Sequence, residues 1–534
     1  MTTLKKSPFL PGRKIYLETF GCQMNELDSE LVRGHLGALG YTFLSNPDEA
    51  DIILYNTCSV REQAENKVLS RIGRVGLSKQ DGARVILGVI GCMAEQKGAS
   101  LMDRFPQIDL MCGPGELDKL PMLLENVTRT EAVARWDRIA LQGSNSRRSS
   151  TLAAVDDNLE LLDLSRAFDP DGASAGGRTA YVRITRGCNK FCTYCVVPRT
   201  RGAEVHRPPN AIVEECKRLA DKGVIEITLL GQTVNHYTYT HGTALTIGEN
   251  PGGRSELPQI GPGGAAFRSN GKAAASSRKT SFADLLKRIH DEVPEIRRLR
   301  FVTSYPRDFG DDALQVMAES PRICRYLHVP AQSGSNRILK LMNRGYTIQE
   351  YLAFIDRARA IIPDVSIAGD IIVGFPTETE EDFEQTKSLL KRVRFKNNFI
   401  FKYSPRPGTT AHDRLPDDVP EAVKRRRNNE LLEVQALISA EVHAEMVGRT
   451  VEVFVEQVSR HSHKRAERVA LGWAKPEKRI QMSGRTAGDH IVVFDLPEHL
   501  EPEAIIGSIT SLEIQRSGPL LLEGAFCGEP VCGR

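Results

Sequence analysis

Nothing in this sequence is both long enough and apolar enough to cross a membrane as a helix. The most apolar runs, such as Val85–Gly91 and Ile371–Phe375, fall far short of the ~20 residues a spanning helix needs. The segment Met1–Lys14 is short and basic and has no apolar stretch of signal-peptide length, so a cytoplasmic protein is expected. Charge of one sign is also missing. The net charge is only +3, so any surface for nucleic acid has to be a local basic patch. The cysteines number 11, an odd count, and in a reducing compartment they point to metal binding or catalysis rather than disulfides. A length of 534 residues implies several domains, and 26% charged residues fit a soluble globular chain.

What is present is order of a repeating kind. Lys14–Phe20, Asp51–Tyr55 and Arg84–Ile90 read as strands, with helical periodicity over Asn25–Leu39 and Arg61–Arg74 between them. Alternation of this kind predicts a parallel sheet with helices on it. Cys22, Cys58 and Cys92 each follow one of these strands within a few residues. In a parallel sheet all strand C-terminal ends share one edge, where ligands bind, so the three cysteines should converge in space. Burial as small hydrophobes does not explain the repeated placement.

A second alternating series begins at Thr179. Its strand candidates are Thr179–Thr185, Val224–Leu230, Arg298–Thr303, Arg325–Val329, Val365–Val373 and Asn397–Tyr403, which suggests a barrel or partial barrel. Thr240–Thr280, rich in Gly, Ser, Ala and Pro, reads as an insertion, and the stretch from Gln142 to Gly177 as a linker. After Val447 the short β-branched runs Thr450–Val458, Arg468–Trp473, Ile480–Ser483, His490–Phe494 and Ile509–Ile514 suggest a small all-β barrel. Ser517 to Arg534, with Cys527 and Cys532, reads as a loose tail.

The densest chemical signal is Cys188-Asn189-Lys190-Phe191-Cys192-Thr193-Tyr194-Cys195, a C-x3-C-x2-C spacing directly after a predicted strand. Three thiolates this close can hold one cubane cluster and leave one iron without a protein ligand. A structural zinc site, or a ferredoxin-type centre, wants a fourth ligand, and no nearby cysteine or histidine supplies it.

At these residues the sequence resembles the radical S-adenosylmethionine (SAM) superfamily. With Phe20-Gly21-Cys22-Gln23-Met24-Asn25, Asn56-Thr57-Cys58-Ser59-Val60-Arg61-Glu62 and Gly91-Cys92-Met93-Ala94-Glu95 included, it resembles the methylthiotransferases, in the branch that acts on isopentenyladenosine of tRNA. Leu229-Leu230-Gly231-Gln232, Thr303-Ser304-Tyr305-Pro306, Gln332-Ser333-Gly334-Ser335-Asn336, Asp370–Pro376 and Tyr403–Gly408 match as well. The β segment near the C-terminus is similar to the TRAM RNA-binding domain.

The resemblance implies an α/β architecture in three parts. These are an N-terminal parallel-sheet α/β domain (13–136, with a linker at 137–177), a central radical SAM partial (βα)6 barrel (178–420, carrying the 240–280 insertion), and a C-terminal OB-like TRAM barrel. A connecting helix at 421–446 leads to that barrel at 447–516, and 517–534 is the tail. It implies two [4Fe-4S] clusters, an auxiliary one on Cys22, Cys58 and Cys92 and a SAM-binding one on Cys188, Cys192 and Cys195. Tyr194 matches the position that contacts the SAM adenine. Gly231 and Gln232 resemble SAM-contacting positions, and Ser304, Gln332 and Asp370 are expected as SAM or ribose contacts. For Gln232, Ser304, Gln332 and Asp370 an ordinary loop hydrogen bond is the competing role.

The implied reaction is methylthiolation at C2 of N6-isopentenyladenosine next to the tRNA anticodon. Two SAM molecules are used, one methylating a sulfur on the auxiliary cluster and one supplying a radical. A low-potential flavodoxin or ferredoxin is the expected electron donor, and a monomer the expected state. Arg199 and Arg201 are expected at phosphate, as are Arg425 within the run Lys424–Arg427 and Arg449, Arg460, Lys464 and Arg465 in the β domain. The ordinary role of such a run is a solvated helix face. Within the family, threonylcarbamoyladenosine in tRNA and a ribosomal-protein aspartate are the alternative substrates. Outside it stands an iron–sulfur RNA-binding regulator without turnover, which would need no open SAM site.

Overall fold

The computed structural model describes residues 12–59, 62–129, 135–141, 177–241, 278–459 and 480–527. The N-terminal sheet has six strands, all parallel. From one edge they run Thr42–Leu44, Lys14–Phe20, Ile52–Thr57, Ile86–Gly91, Leu110–Cys112 and Ile139–Ala140. Ile52–Thr57 is buried at every position, as a central strand covered on both faces must be. Leu27, Leu31 and Leu36 of helix Gln23–Ala38 pack on one face, against Ile15, Leu54 and Ile90. Val68, Ile72 and Val75 of helix Glu62–Gln80 pack on the other, against Ile53, Tyr55 and Val89. The last two strands are short, with little period-two signal to read.

The central part is a partial barrel made of two three-stranded parallel sheets. Thr179–Arg183, Glu226–Leu230 and Arg298–Val302 form one; Tyr326–His328, Ser366–Val373 and Asn397–Lys402 form the other. Leu299 bridges to Ile323, just before Tyr326–His328, and Ser304 donates to the His328 carbonyl at 3.0 Å, which links the two. Strand residues facing the helices, among them Val182, Leu229, Phe301, Leu327 and Val373, share one core with Leu219, Leu286, Phe354, Phe383 and Leu431. The alternate residues face the bore: Tyr181, Arg183, Thr228, Arg298 and Arg300 in one half, His328, Asp370, Phe399 and Phe401 in the other. Helices Phe282–Glu292, Ile348–Ile361 and Glu380–Val393 each begin with a capping box, from Ser281, Thr347 and Thr379. The two ends of the 240–280 insertion pair as antiparallel strands, Tyr239 opposite Thr280. Most of that insertion, the stretch 142–176 and the expected strand Arg468–Trp473 lie outside the described residues.

The C-terminal part is a closed five-stranded barrel. Its fifth strand is Leu522–Phe526, paired with both Ile509–Ser517 and Ile491–Asp495. The stretch expected as a loose tail is therefore, in part, the strand that closes the barrel. Gly518 and Pro519 mark a turn, not the end of order.

The hairpin turn between Gln481–Thr486 and Ile491–Asp495 sits in the mouth of the central barrel at the N-terminal ends of its strands. Arg298 donates to the Arg485 carbonyl at 2.8 Å and Arg300 to the Thr486 carbonyl at 2.6 Å. Lys396 donates to the Asp489 carboxylate at 2.9 Å, and Ser366 and His490 are hydrogen-bonded at 3.0 Å. Burial alone would raise the Asp489 carboxyl, but Lys396, Arg300 and Arg485 outweigh it and hold it below the usual carboxylate range. Asp489→Asn leaves Lys396 without its carboxylate, while Arg300 keeps Glu226 and Arg485 keeps Glu456, and the expected loss of stability is about 3–5 kcal/mol. The parent protein should itself lose this contribution with acid. It is present in full above the unfolded carboxylate pKa of about 4 and is lost progressively as pH falls from there towards the lower folded value. Chemical denaturation at neutral pH and at about pH 3 checks both, since the gap between parent and variant should narrow in acid.

Candidate active site

The cysteines of the N-terminal sheet do converge at its C-terminal edge, for a reason visible in the backbone. Gly21 has φ +132°, and a Cβ there would lie 2.2 Å from the Cys58 Cβ. Gly91 has φ +90°, and its Cβ would lie 2.4 Å from the Asn56 side chain. Only glycine lets the three loops close on one another. Asn25 and Asn56 tie them further, the Asn25 amide donating to the Asn56 side chain at 2.9 Å and the Asn56 amide to the Asn25 carbonyl at 2.8 Å. A hydrogen bond with Cys58 lowers the Cys22 thiol to about 6, with Arg201 adding to it against the effect of burial. Burial pushes the Cys92 thiol up, and Arg201 draws it back.

The second trio lies in the loop beyond Thr185–Arg186. Gly187, with φ +69°, has the Ala203 carbonyl 2.0 Å from where a Cβ would be, so the loop folds tightly over the returning chain. Burial and then the neighbouring Glu204, Cys195 and Cys192 push the Cys188 thiol up. Burial and Cys192 raise Cys195 to about 12, with Cys92 of the other trio contributing. Thiols that raise one another's pKa are a poor resting arrangement for a metal-free site. They are the donor set that a cluster converts to thiolates. The residues present therefore fit two three-thiolate clusters. Behind the second trio, Glu204 accepts from Thr233 at 2.8 Å and is hydrogen-bonded to His236 at 2.8 Å, which fixes the loop from below.

Beside Cys22 and Cys92 lies Arg201, and here the sequence expectation is corrected. Arg201 was expected at RNA phosphate. Its side chain is buried, 2.7 Å from Asp28, a carboxylate with no solvent exposure on helix Gln23–Ala38. Arg183 approaches the same carboxylate at 3.9 Å. A second buried pair, Arg406 to Glu65 at 2.8 Å, also spans the N-terminal and central parts. Asp28, Arg183 and Arg344 carry no local sequence signature and were not anticipated.

The expected SAM contacts gather along the C-terminal ends of the central strands. Gly231 donates its N–H to the Val302 carbonyl and accepts from the Thr303 N–H, both at 3.2 Å. The Gln232 side-chain oxygen and the Ser304 hydroxyl are buried without a hydrogen-bond partner among the described residues, as groups awaiting a polar ligand are. Gln332 adopts φ +70° while its backbone is locked to Asp370 and Ile372. Asp370 lies 3.4 Å from His328, whose other ring nitrogen is hydrogen-bonded to Thr303 at 2.7 Å. Tyr194 packs near Phe375 and Tyr403. Phe399 and Phe401 stand exposed on the bore face, at 45% and 38% of their full area, which is unusual for phenylalanine inside a barrel.

The other expected RNA contacts separate by position. Arg425 and Arg449 are exposed, and Arg199 is half-buried beside Gly408. Lys424 pairs with Asp417 at 2.5 Å, Arg426 with Glu380 at 2.7 Å and Arg427 with Glu378 at 2.8 Å, so most of the basic run is structural. Arg460, Lys464 and Arg465 lie outside the described residues.

Comparison with known proteins adds to this geometry. Residues 182–390 match the Radical SAM superfamily, and residues 14–113 match a family described as Uncharacterized protein family UPF0004. A tRNA-2-methylthio-N(6)-dimethylallyladenosine synthase of Rhodopirellula baltica is 42% identical over 90% of this chain and 90% of its own length. One from Phocaeicola vulgatus is 38% identical over 96% of each chain. Among solved structures, a radical SAM methyltransferase of Kitasatospora setae matches at a TM-score of 0.47 and 14% identity, over 75% of this chain and 77% of its own.

The close approach at Gly21 makes a specific test. Gly21→Ala should cost the auxiliary site its iron while the Cys188–Cys195 site keeps its own, so that reconstituted protein binds about half the parent's iron. Iron and sulfide quantification reads this directly; full iron in the variant would refute the steric argument.

Proposed function

Because the chain belongs to the tRNA-2-methylthio-N(6)-dimethylallyladenosine synthase family of radical SAM methylthiotransferases, we propose how its own residues divide that reaction. The enzyme installs a methylthio group at C2 of N6-isopentenyladenosine in tRNA. The observation that carries the division is the approach of the two cysteine trios, where helix Cys92–Lys97 packs on Val197–Thr200 and Cys92 acts on Cys195. The C2 hydrogen is bound to an aromatic carbon and is not acidic enough for a side-chain base to remove. When bound, SAM with its [4Fe-4S] cluster supplies a carbon radical for that bond, and the second cluster presents the sulfur.

The protein's work is placement. Cys188, Cys192 and Cys195 hold the SAM cluster; Cys22, Cys58 and Cys92 hold the auxiliary one. Gln232, Ser304, Gln332 and Asp370 orient SAM from the strand ends, and Tyr194 borders its adenine. Arg201, fixed by Asp28, keeps the trios at a constant separation. That constancy matters because reacting atoms must come within about 3–3.5 Å. Phe399 and Phe401 offer the prenylated purine an apolar wall, while the turn at Asp489 occupies the opposite mouth of the bore, so substrate enters from the cysteine side. Arg425, Arg449 and the basic segment around Lys464 and Arg465 take tRNA phosphates. An anticodon loop suits such a site, since protein reads RNA sequence best where bases are unpaired. A low-potential flavodoxin or ferredoxin serves as electron donor to a monomeric, cytoplasmic enzyme. No described helix is long and apolar enough to cross a membrane.

Anaerobically reconstituted protein, given SAM, reductant and tRNA bearing isopentenyladenosine, should add a methylthio group that mass spectrometry detects on that nucleoside. Cys58→Ala should abolish the gain and still release 5′-deoxyadenosine. SAM cleavage by the parent without any gain would redirect the assignment to threonylcarbamoyladenosine or a ribosomal-protein aspartate.

A further inference from the structure

Arg344 is a permanent cation in a neutral setting. It follows helix Asn336–Leu341, in a segment stitched to the cysteine loop. Thr193 donates through its backbone N–H to the Met342 carbonyl at 3.0 Å and through its hydroxyl to the Leu341 carbonyl at 2.8 Å. Asn343 donates to the Phe191 carbonyl at 3.0 Å. The guanidinium donates to the Pro330 carbonyl at 3.0 Å and to the Tyr346 hydroxyl at 3.1 Å. It also lies 4.6 Å from the Tyr305 ring centre and 5.2 Å from that of Tyr346. Its remaining contact is to the Cys192 sulfur, at 3.4 Å.

No carboxylate of the described residues is in ion-pair contact with it. The groups that act on it most strongly are Tyr346, Tyr194, Cys192 and Tyr305. Arg201, at the other trio, has Asp28 at 2.7 Å. Arg344 is half-buried, and a cation even partly withdrawn from water is normally paired. Here the available anion is the thiolate set itself.

We propose that Arg344 is the built-in countercharge of the SAM cluster, gripping the Cys192 sulfur and favouring entry of an electron into that cluster. The assignment rests on the cluster reading given under the proposed function. It makes Arg344 a positioning residue, acting through Cys192. The step it assists is a one-electron reduction by an external low-potential donor. One electron enters the cluster, the donor is oxidised by one electron, and no proton or leaving group moves. A fixed cation stabilises the more negative, reduced state, so its removal makes the cluster harder to reduce.

The test is a dithionite-driven redox titration of the reconstituted full-length chain, followed by electron paramagnetic resonance, without SAM or tRNA. It is run in a Cys58→Ala background so that the SAM cluster is read alone. Arg344→Gln should shift the potential in the negative direction at unchanged iron content, and Arg344→Lys, which keeps the charge, should restore most of the shift. If Arg344→Gln cannot hold iron but Arg344→Lys can, the charge role is also supported. An unchanged potential in Arg344→Gln, an equal shift in Arg344→Lys, or loss of iron in both overturns it. So does a shift seen only after SAM is added, because the arginine would then be answering the SAM carboxylate. A parent protein with no reducible cluster overturns this assignment together with the reading beneath it.

Discussion

Two guanidiniums from the central barrel, Arg201 and Arg183, meet one carboxylate from the N-terminal sheet, Asp28, out of reach of water. Nearly everything about the site depends on that meeting. The two cysteine trios belong to different sheets, and each is shaped by its own loops. Shape within a trio says nothing about the distance between trios. A buried ion pair contributes little net stability, because desolvation offsets most of the attraction, but it tolerates little displacement of its partners. That combination suits a site whose task is to hold two reactive centres at one spacing. Arg406 and Glu65 make a second such contact, so the two parts are fixed at two places and cannot simply hinge about one.

The opposite end of the barrel follows a related logic. Arg298, Arg300, Glu226 and Lys396 put charge at the lower mouth, where a soluble barrel would ordinarily place apolar filling. The small β barrel answers with backbone carbonyls and Asp489 from one hairpin turn. Gly488 is required there, since a Cβ would lie 2.5 Å from the Ser366 hydroxyl. The small β barrel is thus anchored through its turn, and at Gly518 to His443, leaving Arg449 exposed.

Much of this was legible in the sequence, and what was not has a common cause. Cysteines placed just beyond predicted strands could be read as converging because parallel topology puts all those ends on one edge. Local period and spacing carry that information. The pairing of Arg201 with Asp28 spans 173 positions and leaves no local trace, so an arginine just after a cluster motif looked like a phosphate ligand. The basic run was misjudged more avoidably. Lys424, Arg427, Leu431, Gln435 and Ile438 are all buried, and they fall at helical spacing on one face of Glu421–Ala444. Extending the apolar stripe back from Leu431 and Ile438 would have placed Lys424 and Arg427 inside and left Arg425 outside. The barrel-closing strand Leu522–Phe526 was missed because it contains Gly524 and follows Gly518 and Pro519, a composition that reads as disorder when closure is ignored.

The contrast between the two arginines bears on why the clusters differ in task although each has three cysteines. Arg201 shares Asp28 with Arg183, so its charge at Cys22 and Cys92 is offset only in part. Arg344 has no carboxylate partner among the described residues, and its guanidinium touches Cys192 directly. A centre that must accept an electron gains from an uncompensated cation. A centre that must present sulfur for transfer gains less, because a strong cation would also hold an anionic sulfur more tightly and slow its departure. Equal ligand sets can therefore serve unequal chemistry, with part of the difference in how each cation is held: Arg201 on Asp28, and Arg344 without a carboxylate among the described residues.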